Sequence, residues 1–151
     1  MDLGSLISKN TSKVSLEGQD REEVLAELVE LQIRAGKVKD RDGILEALSE
    51  REAKGSTGIG GGVAIPHAKH PEVNGITVGI GVSHQGIEFD AADGGLVYIV
   101  FLVLAGLQNP GLNVEVLADV ANLMHVPGVY EQIVSAANVS ALLDVVQKIL
   151  V

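Results

Sequence analysis

Four histidines, His67, His70, His84 and His125, are the side chains here best suited to nucleophilic or proton-transfer chemistry near neutral pH. The chain has no cysteine, so thiolate nucleophiles, disulfides and cysteine-ligated metal sites are excluded together. His67 follows Pro66, behind a short apolar run and a glycine-rich stretch. Strand ends beside such stretches are where α/β proteins place ligands. His67, His70 and His84 can also be read as a metal or small-ligand set. Prolines at 66 and 71 break the regular spacing a helical pair would need, and few acids lie nearby, so no metal and no cofactor is expected.

The glycine-rich stretch, Gly55 to Gly62, holds five of the chain's 18 glycines and invites a phosphate-binding reading. The nucleotide templates fail. The only Gly-Lys pair is Gly36-Lys37, where Leu31 replaces the first glycine of the P-loop and Val38 its hydroxyl residue. The dinucleotide pattern fails at Val63, after Gly58 and Gly60, and at His84, after Gly79 and Gly81. Gly81-Val-Ser83-His-Gln85 lacks the last glycine of a nucleophile elbow. The acid pairs Glu22-Glu23 and Asp90 with Asp93 read as solvated groups on a helix face and in a turn.

These residues need elements to position them. Asp20 and Glu23 have the spacing of a capping box, and Val24, Leu25, Leu28 and Leu31 form a helical stripe with Glu27 and Glu30 facing out, ended by Gly36. A second helix starts after Asp40 or Asp42, buries Ile44, Leu45 and Leu48, and carries Arg51 and Glu52 near its end. Gly55 to Gly62 reads as a loop, and Val63–Ile65 as a short strand stopped by Pro66. Ile76–Val82 and Leu96–Leu104 read as strands, the second apolar on both faces and therefore central. Helical stripes follow at Val114, Val116, Leu117, Val120, Ala121 and Leu123, then over Val129–Ala137, then at Leu142, Val145, Val146 and Ile149. The order makes one layered α/β domain over 1–151.

Composition narrows the partners. The chain has 151 residues and a formal charge of −9, from 20 acidic against 11 basic residues. That balance argues against nucleic acid or an anionic membrane surface. Four aromatics, Phe89, Tyr98, Phe101 and Tyr130, are too few for a base-stacking platform. The longest apolar run is Leu96–Gly106, against roughly twenty residues for a membrane helix. Residues 1–14 lack the basic start and apolar core of a leader, so a soluble, cytoplasmic protein is expected.

Taken together, Arg51-Glu52, Ser56-Thr57-Gly58-Ile59-Gly60 and Gly62-Val-Ala-Ile-Pro66-His67 resemble the signature of type-2 enzyme IIA domains. These are the fructose, mannitol and nitrogen-regulatory class of the phosphoenolpyruvate-dependent phosphotransferase system. Gly86-Ile-x-Phe89-Asp90, the strand Val97–Leu104 and Leu117-Ala118-x-x-Ala121 extend the likeness over nearly the whole chain. The resemblance implies a mixed β-sheet flanked by helices on both sides and a transiently phosphorylated histidine. His67 stands at the phosphoacceptor position and Arg51 at that of the arginine that stabilises the phosphoryl group.

The residue types suit that chemistry. A neutral imidazole is a competent nucleophile, and transfer between histidines passes a loose transition state in which positioning and charge dominate. Arg51 offers a planar fork of donors. The glycine stretch could wall the site and present backbone N–H groups, with Thr57 adding a hydroxyl contact to phosphate or ordering the loop. One departure stands out: Asn113 occupies the place of the family's second active-site histidine. Asparagine can donate to phosphate or cap the helix, but it cannot carry a proton. The implied partners are an HPr-like phosphocarrier and a IIB component. The alternative is a non-catalytic module that docks on a transporter, kinase or transcription factor.

Overall fold

The computed structural model describes residues 3–108 and 110–149, apart from the side chains of 110–113 and 149. The central strand is β5 (Val97–Ala105). On one edge it pairs antiparallel with β4 (Ile76–Ile87), from Ile76 opposite Ala105 to Val82 opposite Ile99. Its other edge carries two short parallel strands in succession, β2 (Val63–Ala64) and β3 (His67–Lys69). Val63 faces Ile99 and His67 faces Val103, so the register is unchanged across the gap. Pro66 therefore interrupts the strand without ending it. Its carbonyl still accepts from Val103 N at 2.9 Å, and only the N–H that proline lacks is missing. This corrects the expectation that pairing stops at Pro66. It also corrects the loop reading of Gly55–Gly62, because β1 (Gly58–Gly60) pairs antiparallel with β2 in a tight hairpin.

Side chains of β5 alternate between two cores. Ile99, Phe101, Val103 and Ala105 pack with helices α4 (Pro110–Met124), α5 (Val129–Val134) and α6 (Val139–Ile149). Val100, Leu102 and Leu104 pack with α2 (Arg21–Arg34) and α3 (Arg41–Ala53) through Leu28, Ile44 and Leu48. The result is a mixed five-stranded sheet between two helical layers, as the doubly apolar strand predicts. The N-terminal segment, which carries no periodic signal, is also structural. Leu3 of the short helix α1 (Leu3–Leu6) and Ile7 are buried, and Ile7 and Lys13 bridge to β4 at Val78 and Gly81. Glu27 does not face out. Its carboxylate accepts from the backbone N–H groups of Glu17 and Gly18 and pairs with Lys13, tying that segment to α2.

Helix starts follow the capping residues. Asp20 accepts from Glu23 N at 2.8 Å and Asp40 from Gly43 N at 3.1 Å. The Glu23 carboxylate accepts from Gln19 N rather than from Asp20 N, so the capping box closes on one side only. In the last third, Val114 is 68% exposed and leaves the predicted buried stripe, while Val116, Val120 and Leu123 keep it. α5 ends at Val134, short of Ala137. Ile149, assigned to the last stripe, has its side chain outside the described residues.

Candidate functional site

Arg51 lies in the last turn of α3, and His67 opens β3, against which α3 packs. Arg51 Nη1 donates to the Gly55 carbonyl at 2.7 Å, which orients the guanidinium, and Nε reaches His67 Nε2 at 3.3 Å. On the other side of the ring, His67 Nδ1 lies 2.8 Å from the Ile65 carbonyl. A carbonyl can only accept, so Nδ1 carries the proton and Nε2 the lone pair. Nε2 in turn accepts from Arg51. Burial pushes the His67 pKa below the ordinary value near 6.5; the Ile65 carbonyl opposes this, the Arg51 charge adds to it and the Glu52 charge opposes it. The ring is neutral at pH 7, with its nucleophilic nitrogen beside a cation. His67 and Arg51 line a hollow of about 390 Å³ together with Ala47, Glu50, Lys54, Ala68 and Lys69.

The glycines do not wall this hollow. Gly60, Gly61 and Gly62 take φ of +92°, +65° and +83°, the left-handed region that suits glycine, and turn the β1–β2 hairpin elsewhere. Gly61 N donates to Asp93, and a Cβ at Gly62 would collide with the Tyr130 hydroxyl. Gly55 alone of that stretch touches the site, through the carbonyl that holds Arg51. Thr57 is buried, and its hydroxyl and N–H both donate to the Glu52 carboxylate, while its carbonyl accepts from Ile65 N at 3.0 Å.

Asn113 falls in the first turn of α4, which starts at Pro110, so it is not the helix cap. Its side chain lies outside the described residues. The other histidines are separate from His67. His70 Nε2 bonds Asp40 at 3.0 Å, exposed His84 bonds the Val14 carbonyl from within β4, and His125 bonds the Ala121 carbonyl. Among the described residues no group of three histidines or carboxylates could hold a metal. Sequence reasoning missed Glu52, Lys54 and Lys69 as neighbours of the site. Glu52 had a signal only in retrospect: one residue along the helix from Arg51, it points roughly 100° away, into the protein.

The comparisons agree with this fold. The family model described as "Phosphoenolpyruvate-dependent sugar phosphotransferase system, EIIA 2" matches residues 5–149. A fructose-specific EIIA component of Haloferax volcanii is 36% identical over 81% of this chain and 79% of its own length. The fructose-specific EIIABC component of Bacillus subtilis is 32% identical over 98% of this chain, which spans only 23% of that longer protein. Among solved structures, nitrogen regulatory protein IIA-Ntr from Neisseria meningitidis superposes with a TM-score of 0.88 at 26% identity, covering 95% of this chain and 98% of that one. The mannitol IIA enzyme of Escherichia coli, solved in complex with phosphorylated IIB, shares the fold at a TM-score of 0.78 and 18% identity, covering 95% of this chain and 99% of that one. No helix among the described residues is long and apolar enough to cross a membrane. With a mixed α/β sandwich, a histidine at the mouth of the Ala-Ile-Pro run and a family match over almost its whole length, the chain belongs to the EIIA 2 family of the phosphoenolpyruvate-dependent sugar phosphotransferase system.

Proposed function

We propose that His67 is the phosphoacceptor of a IIA phosphocarrier. The observation that carries this reading is the ring's hydrogen bonding: Nδ1–H is held by the Ile65 carbonyl and the Nε2 lone pair faces Arg51. In the reaction, Nε2 attacks the phosphorus of a donor phosphohistidine. The new N–P bond forms as the donor's N–P bond breaks, and the donor imidazole leaves with that electron pair. The donor ring, protonated on its other nitrogen, leaves as neutral imidazole. The Nδ1 proton of His67 stays in place against the Ile65 carbonyl, so the phosphorylated ring takes up that positive charge beside the phosphoryl group. Arg51 shifts its Nε–H from the ring nitrogen to the incoming phosphoryl oxygens, where its charge and planar fork oppose charge build-up. Thr57, turned to Glu52, serves the loop and not the phosphate.

The donor in this reading is an HPr-like carrier or its nitrogen-branch equivalent, and the acceptor a IIB component, in the cytoplasm. The 151 residues act as one IIA domain. A second reading, a docking module that controls a transporter, kinase or transcription factor, is favoured by Asn113 and by the likeness to nitrogen regulatory proteins, such as one from Pseudomonas aeruginosa at 28% identity over 95% of this chain and 94% of that protein. Incubation with phosphoenolpyruvate, enzyme I and HPr decides between them. The carrier reading expects an acid-labile, alkali-stable phosphoprotein that His67→Ala abolishes; no label with the cognate carrier excludes it. Asn113→His is expected to raise the transfer rate, and an unchanged rate would show that Asn113 does not limit it.

A further inference from the structure

Glu52 is an acid in an expensive place. Its side chain is only 4% exposed, and a buried carboxylate costs several kcal/mol unless its oxygens are paired. Here both oxygens are used. Oε1 accepts the Thr57 hydroxyl, and Oε2 accepts Thr57 N–H at 3.3 Å and lies 3.6 Å from Arg21 Nη1. The pairing fixes one residue, Thr57, at both its side chain and its backbone. From Thr57 a chain of bonds leads to the reactive ring. The Thr57 carbonyl accepts from Ile65 N at 3.0 Å, and the Ile65 carbonyl accepts from His67 Nδ1 at 2.8 Å.

Resting on the phosphoacceptor reading of His67, we propose that Glu52 is a positioning residue which, through Thr57 and Ile65, holds the His67 proton on Nδ1 and so leaves Nε2 free to attack. The need for such a device is chemical. A neutral histidine ring in water favours its proton on Nε2, the tautomer that would block the nucleophile and set an N–H against the Arg51 N–H. The Ile65 carbonyl reverses that preference only while it keeps its orientation, and Thr57 anchors Ile65 from the other side of its Cα, through the N–H of the preceding peptide. One turn of α3 thus supplies two opposite charges with two tasks. Arg51 faces the hollow, and Glu52 faces the loop behind it. Glu52 also partly offsets the effect of Arg51 on the ring. The other charged groups lining the site are Glu50 of α3, Lys54 just past its end and Lys69 of β3.

The test is long-range ¹H–¹⁵N NMR of the His67 ring in the intact chain, with phosphorylation by phospho-HPr measured on the same samples. Wild type is expected to show Nδ1–H. Glu52→Gln should raise the population of the Nε2–H tautomer and lower the midpoint of the ring's titration. Phosphoryl acceptance should fall about tenfold to a hundredfold, the range for supporting groups behind a reactive one. Glu46→Gln, which removes an exposed charge from the same helix, should change none of these. Thr57→Val should reproduce the tautomer shift, and Thr57→Ser should restore the wild-type ring. A folded Glu52→Gln protein with an unchanged tautomer and midpoint overturns the proposal. If that variant does not fold, the Thr57 pair decides: a wild-type ring in Thr57→Val overturns it equally. If wild type accepts no phosphoryl group, the phosphoacceptor reading fails, while the ring measurements still judge Glu52.

Discussion

A histidine attacks only through a nitrogen without a proton, so what matters at His67 is where its proton sits and how readily a second one binds. The Ile65 carbonyl answers the first question. Burial, reinforced by Arg51, answers the second by lowering the pKa from about 6.5. Protonation of Nε2 removes the nucleophile, so the rate of phosphoryl acceptance should be flat through pH 7 and fall only on the acid side of the ordinary histidine range. A pH–rate profile of single-turnover transfer checks this; an acid limb centred at or above 6.5 would contradict it. The same sign applies to stability. The unfolded chain binds that proton more tightly, so the group's contribution is present above the ordinary value and is lost as pH falls towards the lowered one. Arg51 acts through the geometry of its Nε–H and Nη1–H as well as through its charge. Arg51→Lys keeps the charge and loses the fork, and the transfer rate should fall about a hundredfold, while a near-normal rate would mean that charge alone suffices.

At the scale of elements, the parts that carry a long periodic signal were readable and the short ones were not. Asp20 marks the start of α2, the start of α3 falls on the first of the two aspartates the sequence offers, Asp40 and Asp42, and the unbroken apolar run of β5 marks the sheet centre, because each signal is local. β3, which carries His67, spans three residues after a proline, too few for any alternation to register. Arg51 and His67 were found from a motif, but their contact depends on α3 packing across β3, which no local pattern encodes. The glycine stretch reads as a loop for a related reason: composition says that glycine permits unusual backbone and leaves open which neighbour requires it. At Gly62 the neighbour is Tyr130. Gly62→Ala would place a side chain at φ +83° and against the Tyr130 hydroxyl. The strained backbone costs about 1–2 kcal/mol, and the collision adds to it. Adding Tyr130→Phe should recover only the hydroxyl's share of the collision, since two ring carbons stay at 3.1 Å. Urea denaturation of Gly62→Ala, Tyr130→Phe and the double variant separates the two; full recovery in the double variant would mean that the backbone is not strained.

On the whole molecule, the charge of −9 and the site are of opposite character. The hollow at His67 is lined by Arg51, Lys54 and Lys69 against a single acid, Glu50. In the carrier reading, a phosphorylated partner is repelled by most of the surface and attracted at one place, which orients the encounter as well as speeding it. Lys54 and Lys69 are exposed and make none of the bonds that hold the ring, so their role separates cleanly from that of Arg51. Reversing both, Lys54→Glu with Lys69→Glu, should lower the second-order rate of phosphoryl acceptance about tenfold at low salt. The difference should shrink as salt approaches about 1 M, where the screening length is only about 3 Å. The rate at saturating donor should hardly change, because the chemistry at Nε2 is untouched, whereas Arg51→Lys should depress that saturating rate at every salt concentration. Stopped-flow transfer across a salt series distinguishes the cases. A loss in the double variant that persists unchanged in high salt would mean that the two lysines hold the docked partner or the phosphoryl group directly instead of guiding its approach.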